Sequence, residues 1–565
     1  MDTRNETAAG LEVSTNKNPG KKKIAITAII LAVILIGIGG TVYAVFFNKS
    51  PKELYFISEL NSYKALEKSF NDSFGNSFEL QDKMKKSPYQ QDMTIGVNMN
   101  ANGLEQQVPE LAMVQEFLKN SKLKLGVKQD PKKEQGAYHL GFLMNDSEIA
   151  NAEFFQSNDK AGVFVPELYN KYFYVENKKF GETIKKFDPS YQGPNELPNL
   201  MFAQTKTKLN SPEFWKKKGM EYALYIGSKI KDDDVKLKKD VSFKGEKLRQ
   251  LTLTLSEKET KDLVGGLLNK LSKDDELINE IVDQQMMSAS LENNSITPMP
   301  SKKELKEKIV KDIQDAEKQF KENASLPNGL KQVVIINDDE EIVSRNIVLD
   351  AKNEKTGKTA HFAYKSTNWT KDNDATDKTW NVEAGTGEND KLVVDVKSNT
   401  VPDGEKFKRT INGSFKVWDK TTGPTSAGIE IKTNGTQDNS KSTFKLNFTG
   451  KEAKDVPEIS GTYDQKTDQN LDKNYSNSKA TLGLNLAFHN DPEMGNAKID
   501  ATIDIDTKTK FVDHLKFPDL TPQSAVNVSE VSQVELMKIM QDIQTNAQKF
   551  IGKNASLFQN FQTLQ

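Results

Sequence analysis

Four histidines, several aspartate clusters and one aromatic segment are the residues of this 565-residue chain that could do chemistry. The histidines lie far apart and include no H-E-x-x-H pair; they are His139, His361, His489 and His514. Cysteine is absent, which excludes disulfides, thiolate metal ligands, a cysteine nucleophile and a lipid-modified cysteine. The chain also has no G-x-S-x-G elbow and no glycine-rich phosphate loop. These features favour a protein that is not an enzyme, with no catalytic residues and no cofactor.

Two acidic loops could offer oxygen ligands to Ca²⁺. The EF-hand pattern is missing from both, because neither has the glycine at its sixth position and the glutamate at its twelfth. Acidic turns between strands are common, so the favoured interpretation is no metal site, with Ca²⁺ as the open alternative. The aspartates are Asp372, Asp374 and Asp377 in one loop and Asp464, Asp468 and Asp472 in the other.

The densest aromatic segment is "VPELYNKYFYVENKKFGE", residues 165–182. Its rings could line a groove for a lipid chain or a sugar. Strand-like alternation places Tyr172 and Tyr174 on one face and Phe173 on the other, so core packing is the favoured interpretation for half of the segment. The aromatic residues are Tyr169, Tyr172, Phe173, Tyr174 and Phe180.

An uncharged run from Ile24 to Phe47 follows three lysines, Lys21 to Lys23. As a helix it would be ~36 Å long, enough to cross a bilayer. The lysines predict a cytoplasmic N-terminus, with residues 1–23 as a disordered tail and the bulk of the chain outside the cell membrane. The lipid bilayer is thus a predicted partner through residues 24–47. A cleaved signal peptide, ending near Ala44, is the alternative.

The balance of acidic and basic residues limits the classes of partner that the chain is expected to bind. The formal net charge is -2, so no nucleic-acid partner is expected. All but four of the 78 basic residues are lysines. A lysine-rich, cysteine-free exported chain is typical of Gram-positive cell-envelope proteins.

The chain after the apolar run is predicted to divide into two regions. Residues 48–330 are predicted to be helix-rich α+β, with a first helix that carries an apolar stripe from Phe56 to Phe74. Helix starts are predicted from capping boxes. The predicted caps are Ser256 with Glu259, Ser272 with Asp275, Ser301 with Glu304 and Ser532 with Glu535.

Residues 331–565 form a series of alternating segments bounded by turn residues, which predicts an antiparallel meander followed by a C-terminal helix. One face of the meander is apolar, and the other carries lysine, threonine and aspartate. The predicted fold class is therefore α+β: an N-terminal transmembrane helix, then a large curved antiparallel β-sheet meander packed against several helices. Whether the two regions share one sheet is left open.

Three segments carry a family resemblance: "PKELYF", "VPELYNKYFYV" and "FPDLTPQSAVNVSEVSQVELMKIM". With the anchor before them, they resemble a family of single-pass, membrane-anchored envelope proteins of Bacillus-like bacteria, catalogued as a domain of unknown function. The resemblance covers essentially the whole chain and implies no site residues. More loosely, helices set against a large curved sheet are similar to lipoprotein carriers, which hold acyl chains.

The function predicted from these features is non-enzymatic. The sheet of a membrane-anchored, extracytoplasmic protein would bind an amphiphile such as a lipid, a cell-wall polymer or an envelope protein. One alternative is a structural or sensory envelope protein without a small ligand. The other is an unrecognised hydrolase.

Overall fold

The computed structural model describes residues 50–102, 104, 110–191, 193, 195–197, 199, 207–292, 301–371, 373–387, 390–419, 423–451, 453, 456–489 and 494–555. The α-helices within these ranges are α1 (Pro51–Lys86), α2 (Glu110–Asn120), α3 (Phe180–Phe187), α4 (Pro212–Lys229), α5 (Glu257–Ser272), α6 (Asp275–Glu292), α7 (Lys302–Asn323) and α8 (Gln533–Lys553).

The strands before residue 331 belong mostly to hairpins between helices. They are β1 (Tyr89–Asn102), β2 (Ser121–Asp130), β3 (Gln135–Met144), β4 (Ser147–Gln156), β5 (Lys160–Phe164), β6 (Tyr172–Glu176), β7 (Val235–Phe243), β8 (Glu246–Leu255), β9 (Ala324–Ser325) and β10 (Leu330–Ile336).

The later strands follow one another with short turns. They are β11 (Ile342–Asn353), β12 (Thr359–Thr370), β13 (Thr376–Gly387), β14 (Asp390–Asp403), β15 (Lys406–Asp419), β16 (Gly423–Gly435), β17 (Asn439–Thr449), β18 (Glu458–Asn470), β19 (Tyr475–Ala487), β20 (Lys498–Phe511) and β21 (Ala525–Asn527).

All of these strands belong to one sheet of 21 strands within the described ranges. At one edge of the sheet β21 pairs with β6, and the strands from β6 to β1 then pair in descending order. Strand β1 pairs with β20, and the strands from β20 to β10 again pair in descending order. At the other edge β10 pairs with β8, and β8 pairs with β7. The short β9 adds a pairing with the end of β11. The β6–β21 pairing is parallel, whereas its neighbour β5–β6 is antiparallel like the rest of the ladder.

The predicted fold class is wrong, because the strands pair differently from the prediction. The described residues form one mixed sheet that takes strands from both halves of the chain, and not a purely antiparallel sheet behind a transmembrane helix. The β1–β20 ladder, from Tyr89↔Phe511 to Asn102↔Lys498, joins segments about 400 residues apart in sequence. Local alternation cannot reveal such a pairing. The proposed boundary at residue 330 stays a prediction, although β8 and β10 pair across it.

The predicted location is also corrected. In the part of the chain that the structure describes, no helix combines the length and apolarity needed to cross a membrane. The apolar run at residues 24–47 and the tail at 1–23 lie outside the described residues. On the finding for the described helices, the prediction of a single-pass protein of the cell membrane is wrong, and so is the Gram-positive envelope setting that accompanied it.

The helix starts follow local sequence closely. Three of the predicted capping boxes are confirmed, at Ser256, Ser301 and Ser532. The fourth is wrong, because Ser272 is the last residue of α5. The carboxylate of Asp274 instead accepts a hydrogen bond from the backbone N–H of Leu277 at 3.1 Å and caps α6.

The main core lies at the β7 end of the sheet. There β7, β8, β10 and β11 pack against α1, α4 and α5, and leucines such as Leu251, Leu253 and Leu267 have no exposed surface. The helices therefore cover one side of the sheet over these strands.

Helix α1 then runs past this core along one end of the strands. Its polar side chains contact the sheet in succession, through the pairs Asn61 with Asp339, Ser69 with Lys378, Asn76 with Asp438, and Lys83 with Asn474. The first, third and fourth partners lie in turns between strands, and Lys378 lies near the start of β13. The helix thus defines one end of the face described next.

Candidate ligand-binding face

Strands β13 to β17 carry continuous apolar rows on the side of the sheet that faces α1. Directly paired residues of antiparallel strands project to the same side, so the register identifies each row. There are two such rows, which we call the apolar rows. The first is Trp380, Val396, Gly413, Ile429 and Leu446, and the second is Val382, Val394, Phe415, Ala427 and Phe448.

Protein atoms cover the apolar rows only in part. Phe415 is 47% exposed and Phe448 is 39% exposed. Leu251 on β8 and Val334 on β10 lie on the same side of the sheet but beneath the helices, and both are fully buried. The side chains of the apolar rows therefore form a surface that water reaches and that an apolar ligand could cover.

Toward α1 the same side becomes mixed, because cations and hydroxyls join the apolar residues. Two further rows, which we call the polar rows, continue the register: Lys378, Ser398, Ile411, Ile431 and Phe444, then Thr376, Thr400, Arg409, Thr433 and Ser442. From Arg409 to Phe415 the strand rises about 20 Å. On β13 to β15 the surface is thus amphipathic along the strand direction.

The opposite side of these strands is charged, and several of its charges form ion pairs. Lys441 lies 3.0 Å from Asp464 across β17 and β18, and Lys432 lies 2.9 Å from Glu430 within β16. This agrees with the predicted division into an apolar face and a face of lysine, threonine and aspartate.

Two cations lie within the polar rows. The Arg409 Nε donates a hydrogen bond to the Thr400 hydroxyl at 3.1 Å, and its guanidinium lies 4.7 Å from the centre of the Phe407 ring. The Lys378 Nζ donates to the Ser69 hydroxyl at 3.3 Å. Among the described residues, no carboxylate pairs with either cation. Burial lowers the pKa of Arg409 and of Lys378, and the charge of Arg409 lowers that of Lys378 further.

The structure does not bring the four histidines together. His139 Nε2 lies 3.1 Å from Glu148, and His361 Nδ1 lies 2.6 Å from Asp350. The bond to His361 holds the pKa of Asp350 below its ordinary value. These two histidines therefore belong to cross-strand polar pairs.

The aspartates of the acidic loops do not converge in the described ranges, where no group of three or more His, Cys, Asp or Glu could hold a metal. Asp377 lies 2.7 Å from Lys371, and Asp464 pairs with Lys441. Asp372 lies outside the described residues.

The aromatic segment is largely packed. Tyr172 and Tyr174 contact a core cluster that contains Phe155 and Leu520, as expected for one face of β6. Phe173 projects to the other face and packs against Tyr169 in a tilted arrangement, with the ring centres 5.1 Å apart.

Two shallow depressions lie mainly on the charged side of the sheet. One, of about 330 Å³, is lined by residues of β16 to β19, including Lys445 and Asn485. The other, of about 350 Å³, lies beside the β18–β19 turn, and its lining includes Lys473 and Lys510. Neither depression lies on the apolar rows.

Two kinds of comparison with known proteins found no match for this chain, and a third found weak structural similarity. No protein-family model and no curated protein matches it. Among solved structures, Pseudomonas aeruginosa OccK5 (OpdH) is 8% identical over 75% of this chain and 98% of its own, with a TM-score of 0.22. Acinetobacter baumannii OccAB2 is 6% identical over 74% and 98%, with a TM-score of 0.23. Salmonella typhi OmpF in complex with daunomycin is 9% identical over 75% and 98%, at 0.18.

TM-scores this low carry no argument about fold, location or function. The resemblance to an envelope family stays a prediction.

Sequence reasoning missed the cation pair. "KTWNVEA" and "FKRTINGSFKVWD" show alternation, and this places Lys378 and Arg409 on the apolar side of their own strands. Their proximity depends on the β13–β14–β15 register, which only the structure gives.

Proposed function

We propose that this protein binds an amphiphile along the apolar and polar rows of β13 to β17 and catalyses no reaction. The observation that carries the proposal is the half-exposed apolar surface around Trp380, Phe415 and Phe448, which passes into polar rows beside α1. Such a gradient matches a molecule with an apolar chain and a polar head.

Burial of the apolar rows supplies the driving force. An acyl chain that removes ~200 Å² of this surface from water would gain about 5 kcal/mol. Only part of that gain would appear as affinity, because the ligand loses translational and conformational freedom. From the apolar contact alone we therefore expect a dissociation constant of roughly a millimolar.

The absence of catalytic motifs supports the non-enzymatic part of the proposal. The chain has no cysteine, and its sequence contains no recognisable nucleophile or phosphate-binding motif. Ligand binding requires no catalytic group, and the rows of β13 to β17 provide the surface that it does require.

A single substitution tests the proposal. Phe415→Glu places a charge at the centre of the apolar rows, where the side chain is 47% exposed and little packing is lost. Leu224→Glu is the matched control, because Leu224 is 48% exposed on α4, away from β13 to β17. The probe is a lysophosphatidylcholine with a fluorescent acyl chain, titrated with the purified full chain.

We expect saturable binding by the unsubstituted protein and by the Leu224→Glu variant, and binding at least about tenfold weaker in the Phe415→Glu variant. Circular dichroism checks that both variants fold. Failure of the unsubstituted protein to bind, or equal binding by all three proteins, would overturn the proposal.

A further inference from the structure

Lys378 and Arg409 differ from the ion-paired lysines on the charged side of the same sheet. Lys432, Lys441 and Lys479 each lie within 3.3 Å of a carboxylate. In the described part of the chain, Lys378 and Arg409 have only hydroxyl partners and the face of a phenyl ring. In that part of the chain, the two cations therefore lie on the mainly apolar side of the sheet without a carboxylate to neutralise them.

The two cations are close enough to act on one group. Lys378 pairs directly with Ser398, and Arg409 pairs with Thr400 in the next row of the register. One strand, β14, separates them, so strand and residue spacing place their Cα atoms about 12 Å apart. Their long side chains can converge on one anion above β14.

The hydroxyls around this point complete a set of donors. Ser398 lies between the cations on β14, and Thr376 and Thr433 extend the row of Arg409 on either side. An arginine fork, a lysine ammonium and several hydroxyls suit the oxygens of a phosphate.

We propose that Lys378 and Arg409 bind the phosphate headgroup of an anionic lipid whose acyl chain lies along the apolar rows. This inference rests on the proposed function, since the apolar rows hold the chain. It adds the ligand class: a lipid with a phosphate, oriented with its head beside α1. The phosphate would also offset the charge that burial disfavours at both side chains.

The test compares two fluorescent lipids with the same acyl chain, titrated with the purified full chain. One is lysophosphatidic acid, and the other is the uncharged monoacylglycerol. Lys378→Gln and Arg409→Gln should each weaken binding of the phosphate lipid about tenfold or more and leave the uncharged lipid unaffected. Lys416→Gln, on the charged side of β15, is the control and should leave both affinities unchanged.

Charge-retaining variants separate a binding role from a folding role. Lys378→Arg should keep the affinity for lysophosphatidic acid within a few-fold, whereas Lys378→Gln should not. Raising the salt concentration should weaken binding of the phosphate lipid only.

Each result that contradicts these expectations would overturn a different claim. Equal affinity for both lipids, unchanged in the Lys378 and Arg409 variants, would overturn the headgroup site and leave amphiphile binding intact. Equal binding of a fatty acid with the same chain would overturn the assignment of phosphate. If neither lipid binds, the proposed function itself fails.

Discussion

The carboxylate of Glu59 on α1 accepts two hydrogen bonds from the guanidinium of Arg345 on β11, at 2.8 Å from Nη1 and 2.5 Å from Nη2. Glu59 is 1% exposed and also accepts from the side chain of Gln332 on β10 at 3.0 Å. This buried pair fixes the start of α1 against the sheet. The helix continues from there to the polar rows, so the pair also positions the polar end of the proposed binding face.

Glu59→Gln should destabilise the protein by about 3–5 kcal/mol, because it leaves the Arg345 charge buried without its partner. Glu67→Gln is the control, since Glu67 forms an exposed pair with Lys216 at 3.1 Å and should cost less than about 1 kcal/mol. Urea unfolding measures the difference, and hydrogen exchange should show faster exchange in α1. Equal midpoints for the two variants would contradict the structural role of the pair.

Acid should weaken the contacts between α4 and α6. Hydrogen bonds from Lys217, Lys218 and Lys208 lower the pKa of Glu276 from 4.5 to about 2. The folded pKa lies below the unfolded one, so the stabilisation is complete above pH 4.5 and is lost as pH falls toward about 2. The melting temperature should fall over this range, and less steeply for Glu276→Gln. An unchanged slope in that variant would contradict the assignment.

Removing the charge of Lys378, which has no carboxylate partner among the described residues, should not weaken the fold. Burial lowers the pKa of Lys378, so the unfolded state holds this proton more tightly and the charge opposes folding at neutral pH. Lys378→Met should therefore melt at the same or a higher temperature at pH 7, by at most roughly a few degrees. Its advantage should shrink as pH rises toward 10.5, the ordinary lysine value. A clear loss of stability at pH 7 would show that the ammonium is structurally required.

Two glycines should respond oppositely to alanine. A Cβ at Gly461 on β18 would lie 2.1 Å from the backbone oxygen of Gly483, so Gly461→Ala should cost ~1–3 kcal/mol. Gly219 lies inside α4 with nothing within 4 Å of an added Cβ, so Gly219→Ala should stabilise by about 1 kcal/mol. Denaturant unfolding of both variants tests the register of β18 with β19. Equal effects would contradict it.

The sequence predicts the local features of this fold well. Capping at Ser256 and Ser301 and the alternation in β13 to β17 depend on residues a few positions apart, and the structure has them. The cap at Ser272 is wrong because Asp274, two residues later, competes for the same role and lies closer to the start of α6.

The long-range arrangement could not be predicted in this way. The β1–β20 ladder and the parallel contact of β21 with β6 join distant segments, and no local pattern encodes such pairings. The candidate site has the same origin: Lys378 and Arg409 are neighbours only through the register of β14.

The most direct test of amphiphile binding uses Trp380, which lies in the first apolar row, and Trp418, which lies on the charged side of β15 against Lys391. A lysophospholipid brominated on its acyl chain quenches tryptophans that it touches. We predict saturable quenching in the unsubstituted protein, retained in Trp418→Phe and largely lost in Trp380→Phe. Quenching that is absent, or that persists in Trp380→Phe and disappears in Trp418→Phe, would contradict binding on the apolar rows.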